Sequence, residues 1–556
     1  MNPAPSDRPA LIPPAGFRLS RRRFLLAGIG VVAAGCGSSS DDGSASSSVV
    51  TPTTSTATTT STLAPSTSAT PTTDAIAIDP PFTLGVASGD PLADRVVLWT
   101  RLAPAPDQPS GGMPSGDVNV GWEVARDSSF ADVVSSGTTV AEARLAHSVH
   151  VDADGLEPGE WYHYRFTVGD HESPVGRTRT APAADADDYQ FALTTCQDPQ
   201  FGEYGVWADV AADDELHAVV FTGDYIYELA ALDFSPAGDG RRQWRSPSPT
   251  TLDHFRDRYA QVKEDPSLQA AHAAMAWWVM WDDHEITDNY WREGPGQFDS
   301  AGGDFAARRA AAYQAWWEHQ PVRLDPPVDG RLDVHRSVPV GSLATLFLID
   351  SRQHADEPPC RDTSQLDIGA PCDDIDDPQR TLLGVDQEEW LLDGLAADDS
   401  RWTVLVSPGM FAGLDARAAD DSGSAPVRYL ESWDGYPTAR NRVADALRAT
   451  DGPLVLSGDY HAAFVLDVGP GFGAEPVCAE FMAAAVSSSP FDDDVRPRNP
   501  HVRHFDATNG YTRCTVTPER WLAEFRTVAD VWDPATPVTP VATYQVMAGE
   551  RTATVV

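Results

Sequence analysis

The chain has 556 residues and a formal net charge of −42. That carboxylate surplus excludes tight binding of nucleic acid through phosphate neutralisation and steady docking on anionic lipid through basic patches. An apolar content of 42% and a charged content of 22% are ordinary for a globular protein, and the length leaves room for two or three domains with their own cores.

The first feature along the chain is a targeting segment. Ser20-Arg21-Arg22-Arg23-Phe24-Leu25 carries a twin-arginine signature. The apolar stretch from Leu25 to Ala34 is shorter than the roughly 20 residues that span a bilayer and suits a signal h-region. Residues 1–36 therefore read as a signal peptide for the twin-arginine translocation machinery, and the expected location is extracellular or at the cell surface. Cys36 follows Ala33-Ala34-Gly35, small residues of the kind that precede a lipoprotein cleavage site, with Ala33 where Leu is usual. A lipid anchor through Cys36 and ordinary cleavage nearby both remain open. Residues 37–77 are rich in Ser, Thr, Asp, Pro and Ala. Such a segment buries too little apolar area to offset its chain entropy, and a disordered tether is expected. No later run of 18 apolar residues occurs, so no membrane span is expected.

Residues 78–182 are short-period and β-rich. Val96-Val-Leu-Trp-Thr, Val118-Asn-Val-Gly-Trp-Glu-Val and Trp161-Tyr-His-Tyr-Arg-Phe-Thr-Val alternate apolar and aromatic side chains between turn signals. They predict an all-β sandwich similar to fibronectin type III domains, with a structural or orienting role. From 188 to 556 strands alternate with helical patterns. Phe305 to His319 is an Ala-rich helix stopped by Pro321, and a second helix opens at Asp386 with acidic residues in its first turn. Ala344-Thr-Leu-Phe-Leu-Ile and Trp402-Thr-Val-Leu-Val read as strands. The alternation predicts a layered α/β catalytic domain. Of the cysteines, Cys360 and Cys372 close a short polar loop that suits a disulfide in an exported protein. Cys478 and Cys514 are open to pairing or to burial as free thiols.

Four apolar runs end in metal-binding residue types: Phe191-Ala-Leu-Thr-Thr at Cys196-Gln197, Ala218-Val-Val-Phe-Thr at Gly223-Asp224-Tyr225-Ile226-Tyr227, Met275-Ala-Trp-Trp-Val-Met-Trp at Asp282-Asp283-His284-Glu285, and Pro453-Leu-Val-Leu-Ser at Gly458-Asp459-Tyr460-His461. Ligands of open α/β sheets bind outside the carboxyl ends of the strands, so a shared sheet would bring these four ends together. A thiolate and a phenolate on one ion favour Fe³⁺, and Cys with His alone would equally suit Zn²⁺. Asp283, Asp459 and the amide of Asn289 are hard oxygen ligands suited to Ca²⁺, Mg²⁺ or Mn²⁺. Arg352, just after Asp350, is open to two readings: a clamp on substrate phosphate, or an ion pair with a nearby carboxylate.

The order Cys-Gln, Gly-Asp-Tyr-Ile-Tyr, Trp-Asp-Asp-His-Glu, Gly-Asp-x-His resembles the PhoD-type alkaline phosphatases and phosphodiesterases, within the calcineurin-like, purple-acid-phosphatase-like metallophosphoesterases. The resemblance extends to Leu84-Gly-Val-Ala-Ser-Gly-Asp-Pro, Ile349-Asp-Ser-Arg-Gln and Gly510-Tyr-Thr-Arg-Cys-Thr-Val-Thr-Pro-Glu-Arg-Trp. It implies Fe³⁺ held by Cys196, Asp224, Tyr227 and His461, and Ca²⁺ held by Asp224, Asp459 and Asn289, with Asp283 at the site. It also implies a proton donor at His284 and in-line attack on phosphorus by a metal-activated hydroxide. Tyr460 departs from the small apolar residue usual at its position, and Asp288 stands where Asn is common. The expected activity is hydrolysis of phosphate esters, monoesters or diesters. A phospholipase D-like action on lipid headgroups is the enzymatic alternative, and a tethered surface binding protein the non-enzymatic one.

Overall fold

The computed structural model describes residues 79–556 apart from 109, 232–241, 297–298, 300, 361–367, 418–425 and 470–473. The twin-arginine segment, Cys36 and the 37–77 tether lie outside the described residues. Two large sheets face each other. The ten-stranded sheet has the parallel strands Tyr189–Thr194, Ala218–Phe221 and Ala276–Val279 at its centre. The seven-stranded sheet has the parallel strands Ala344–Leu348, Trp402–Val406, Pro453–Ser457 and Cys478–Met482. These strands are almost pure apolar runs because both of their faces are covered. Phe191, Leu193, Val220 and Trp278 of one sheet interdigitate with Leu346, Val404, Leu454 and Phe481 of the other.

Helices close the outer faces, giving the layered α/β sandwich expected from the alternation of elements. Phe305–His319 is a helix as predicted, and Asp304 caps it by accepting from Ala307 N at 3.2 Å. Val385–Ala397 follows with Asp386 and Glu388 in its first turn. No helix among the described residues is long and apolar enough to cross a membrane.

The N-terminal β-unit has one feature the strand pattern did not convey. Its five-stranded sheet, with Val118–Ala125 and Trp161–Val168 at the centre, packs on the strands Val86–Leu92, Arg95–Arg101 and Ser148–Asp154. Those three strands are also the edge of the ten-stranded sheet, because Val86–Leu92 pairs in parallel with Ala276–Val279. The sandwich therefore shares a continuous sheet with the domain that follows, and this pairing joins segments almost 190 residues apart.

Cys360 and Cys372 form the disulfide expected of the loop pair. Cys478 and Cys514 are buried free thiols on separate sheets.

Candidate metal centre

Register brings the strand ends level. Thr194, Phe221 and Val279 are hydrogen-bonded neighbours on one sheet, and Leu348, Val406 and Leu456 on the other. The residues immediately beyond them emerge along one common edge. There the two sheets touch: Thr195 bridges to Ala485, and Thr194 Oγ1 donates to Ala484 O at 3.2 Å. All four ligand-bearing segments predicted from sequence meet at this edge.

Glycine is required in both Gly-Asp motifs because the loops almost touch. A Cβ on Gly223 would lie 2.5 Å from Asp282 N, and one on Gly458 would lie 2.3 Å from Thr222 Oγ1. The candidate ligands themselves pay a conformational penalty. Cys196, Asp224, Asn289, Asp459 and His461 all adopt left-handed backbone, with φ between 53° and 71°. Non-glycine residues occupy that region at an expense of order 1 kcal/mol or more and cluster where function over-determines them.

The side chains fall into three overlapping groups, each with its ligand atoms within 4.8 Å of one another: Cys196, Asp224 and His461; Asp224, Asp283 and His284; Asp282, Asp283 and Asp459. Asp224 belongs to the first two and Asp283 to the last two, so neighbouring ions would share carboxylates. In the first group Cys196 Sγ lies 3.3 Å from Asp224 Oδ2, and the Tyr227 hydroxyl lies 3.1 Å from both Asp224 Oδ2 and His461 Nε2. His461 Nδ1 faces the Ser489 carbonyl at 2.8 Å, which only accepts, so the neutral ring carries its proton there and turns the Nε2 lone pair inward. Ser488 Oγ donates to the Tyr227 oxygen at 2.8 Å. Asn289 donates its backbone N–H to Asp283 Oδ2 at 2.6 Å.

The donor set fits metal ions. Burial pushes the Asp224 carboxyl, the Cys196 thiol and the Tyr227 phenol well above their ordinary pKa values, and a multivalent cation among them would reverse that preference. Asp282 Oδ2 and Asp283 Oδ1 are buried and accept no hydrogen bond, and both carboxylates belong to the group with Asp459. The first group offers thiolate, phenolate, carboxylate and imidazole. The last offers carboxylate oxygens only.

His284 and Arg352 frame the carboxylates. His284 Nδ1 is 2.8 Å from Glu228 Oε2. Burial opposes a charge on this ring, but Glu228, Asp283 and Asp224 outweigh it and raise its pKa well above the usual value. Burial also disfavours ionised Asp283, yet Arg352 and His284 overcome it and hold that carboxyl at about 2. Arg352 takes the ion-pair alternative: its Nε donates to Asp282 Oδ1 at 2.5 Å and its Nη2 lies 3.6 Å from Asp283 Oδ1. It acts as a positioning residue in this geometry. Tyr460 fits its unusual place by packing edge-on against Phe464 and Phe491 and receiving a hydrogen bond from the Tyr429 hydroxyl at 2.9 Å. A small recess lined by Tyr227, His461, Ser488, Phe201 and Phe491 opens beside the centre.

Sequence reasoning placed Asp282 and Glu285 at the strand end without a role and missed Glu228 and Ser488. Glu228 carried a usable signal, since it ends the Gly-Asp-Tyr-Ile-Tyr loop. Ser488 carried none, since it arrives from 261 residues away.

Comparison with known proteins agrees with this geometry. Residues 191–525 match the family model of the PhoD-like phosphatase, and residues 66–182 match that of the PhoD-like phosphatase N-terminal domain. The chain is 39% identical over 479 residues to alkaline phosphatase D of Bacillus subtilis (strain 168), spanning 84% of this chain and 80% of that protein. A solved structure of PhoD superposes with a TM-score of 0.80 at 38% identity, covering 86% of this chain and 92% of that one.

Proposed function

The chain belongs to the PhoD-like phosphatase family and is a phosphoric ester hydrolase of the alkaline phosphatase D type, and from that premise we propose that it is an exported enzyme that works with Fe³⁺ and Ca²⁺. The observation that carries the metal reading is the convergence of Cys196, Asp224, Tyr227 and His461 from both sheets on one point. A thiolate with a phenolate suits ferric iron, and these four residues would hold it. Asp224, Asp283, Asp459 and Asn289 would hold calcium through oxygen. Bound there, the ions would neutralise phosphoryl charge and activate water.

The remaining chemistry belongs to the side chains. His284, oriented by Glu228, protonates the leaving alkoxide, which matters most for esters of poorly acidic alcohols. Arg352 keeps Asp283 ionised and fixed.

The test is hydrolysis of an aryl monoester, a bis-aryl diester and phosphatidylcholine, read as phenol release from the aryl esters and choline release from the lipid, before and after EGTA. Hydrolysis of one or both aryl esters, abolished by EGTA and restored by Ca²⁺, is expected. Activity that survives exhaustive chelation would contradict the calcium assignment, and action on phosphatidylcholine alone would favour the phospholipase D-like alternative.

Export rests on Ser20 to Leu25. Twin-arginine export carries folded proteins, and a centre assembled from Cys196 through His461 requires a folded chain. Iron is therefore loaded inside the cell, where Cys196 stays reduced. Replacing Arg21, Arg22 and Arg23 with Lys should leave folded, iron-bound precursor in the cytoplasm. Trapped precursor that is folded but iron-free would contradict loading before export.

A further inference from the structure

Two buried glutamates outside the ligand set make the same pattern of contacts, one on each sheet. Glu285 is 1% exposed. Its Oε2 accepts from Asp224 N at 3.1 Å and Asp282 N at 2.9 Å, and its Oε1 from Tyr225 N at 2.7 Å. Glu480, on the Cys478–Met482 strand, is fully buried. Its Oε1 accepts from Phe411 N at 2.9 Å and Ser457 Oγ at 2.5 Å, and its Oε2 from Ala412 N at 2.7 Å. Each carboxylate thus catches two consecutive backbone N–H groups of one loop and a third donor from the strand end beside it.

The clamped segments are those that carry the ligands. Glu285 ties the Asp224 loop to Asp282. The Cys196 loop hangs on the same assembly, because Cys196 N donates to Gly223 O and Gln197 N to Asp224 O, both at 3.1 Å. Glu480 ties the 407–412 loop to Ser457, and Gly458 N then donates to Pro408 O at 2.9 Å, which fixes the turn into Asp459. Asp224 and Asp459 are both in left-handed backbone, φ 62° and 71°, a conformation that persists only where its surroundings enforce it. Charge-assisted hydrogen bonds from three donors to a buried carboxylate are strong enough to do so. All of these contacts are between protein groups, so they form with the fold.

We propose that Glu285 and Glu480 are a matched pair of positioning residues, one per sheet, whose carboxylates clamp the ligand loops so that the metal cradle is preformed in the folded chain. The proposal rests on the metal reading above. Glutamine is the informative replacement: it keeps the size but presents an NH₂ where a carboxylate oxygen accepted, so at least one backbone N–H in each clamp meets a donor.

Ca²⁺ alone and ferric iron alone are titrated into wild type, Glu285→Gln, Glu480→Gln and, as a control, Glu318→Gln, whose buried carboxylate pairs with Arg256 away from the site. Outer-shell partners typically contribute tenfold to a hundredfold in metal affinity. A loss of about that size in E285Q and E480Q, with E318Q close to wild type, is expected. Unchanged affinity in both clamp variants, or an equal loss in E318Q, would overturn the proposal. Amide exchange in chelator-treated wild type needs no variant to fold. The Asp224, Tyr225, Asp282, Phe411 and Ala412 amides should be protected like that of Val220 in its strand, and exchange at open-loop rates would overturn preformation. Wild type that binds neither ion would remove the metal reading, while amide protection would still decide the clamp.

Discussion

Asp224→Asn is expected to lower kcat/KM by about 10³-fold or more while the protein stays folded. Asp224 is the carboxylate common to the group with Cys196 and His461 and the group with Asp283 and His284. Its Oδ2 also lies within 3.3 Å of Cys196 Sγ and 3.1 Å of the Tyr227 hydroxyl. An amide keeps the shape and tolerates the left-handed backbone, but it cannot bridge two cations. Metal-ion catalysis supplies several kcal/mol of transition-state stabilisation, and each 1.36 kcal/mol is worth about tenfold in rate, hence the size of the loss. Stability moves the other way. Burial disfavours the ionised form and, with the carboxylates of Asp283, Asp282 and Glu285, outweighs the opposing charge of His284, so D224N should raise the Tm of chelator-treated protein while it abolishes turnover. Activity within tenfold of wild type would show that Asp224 is not the shared ligand.

The second large effect lies away from the phosphate chemistry. Lys263, at the end of the Leu252–Lys263 helix, is 1% exposed. Its Nζ sits 4.4 Å from the Trp99 ring centroid, 5.2 Å from that of Tyr225 and 3.4 Å from His272 Nε2. Aromatic faces return part of the lost hydration, but burial still pushes the ammonium down from 10.5 to about 7. Above pH 10.5 the side chain is neutral in both folded and unfolded chains, and its burial carries no charge penalty. As pH falls from 10.5 to about 7 the unfolded chain takes up a proton that the folded chain refuses, so this group's contribution to stability falls across that window and is constant below it. A shift of that size corresponds to about 5 kcal/mol. Lys263→Met, close in volume and apolar, should therefore raise stability by about 3–5 kcal/mol at pH 7, and the gain should shrink towards zero by pH 10.5. Thermal melts of both proteins at the two pH values measure this. A lower Tm for K263M at pH 7, or an equal gain at both, would contradict it.

The site was legible to the extent that its chemistry is local in sequence. Cys196, Asp224, Tyr227, Asp283, Asp459 and His461 each follow an apolar run directly, and strand ends of parallel sheets are where such residues gather. The helix Phe305–His319 and the loop disulfide were legible for the same reason, since a periodic pattern with a Pro stop and two nearby cysteines are short-range signals. What escaped depends on contacts between distant segments. The strand Val86–Leu92 reads as one edge of a small sandwich, and nothing local says that it also pairs with Ala276–Val279. Arg352 could face phosphate or carboxylate until the fold placed it beside Asp282. Glu480 sits in an apolar strand, and only the 407–412 loop folding back over it supplies its donors.

In the proposed centre a thiolate and a phenolate from one sheet and an imidazole from the other would hold ferric iron at Asp224. Metal analysis and the visible spectrum of the purified enzyme, beside Cys196→Ala and Tyr227→Phe, test it most directly. About one iron per chain and a visible ligand-to-metal charge-transfer band are expected, with the band and the activity lost in both variants. A colourless, iron-free wild-type protein with full phosphatase activity would contradict it.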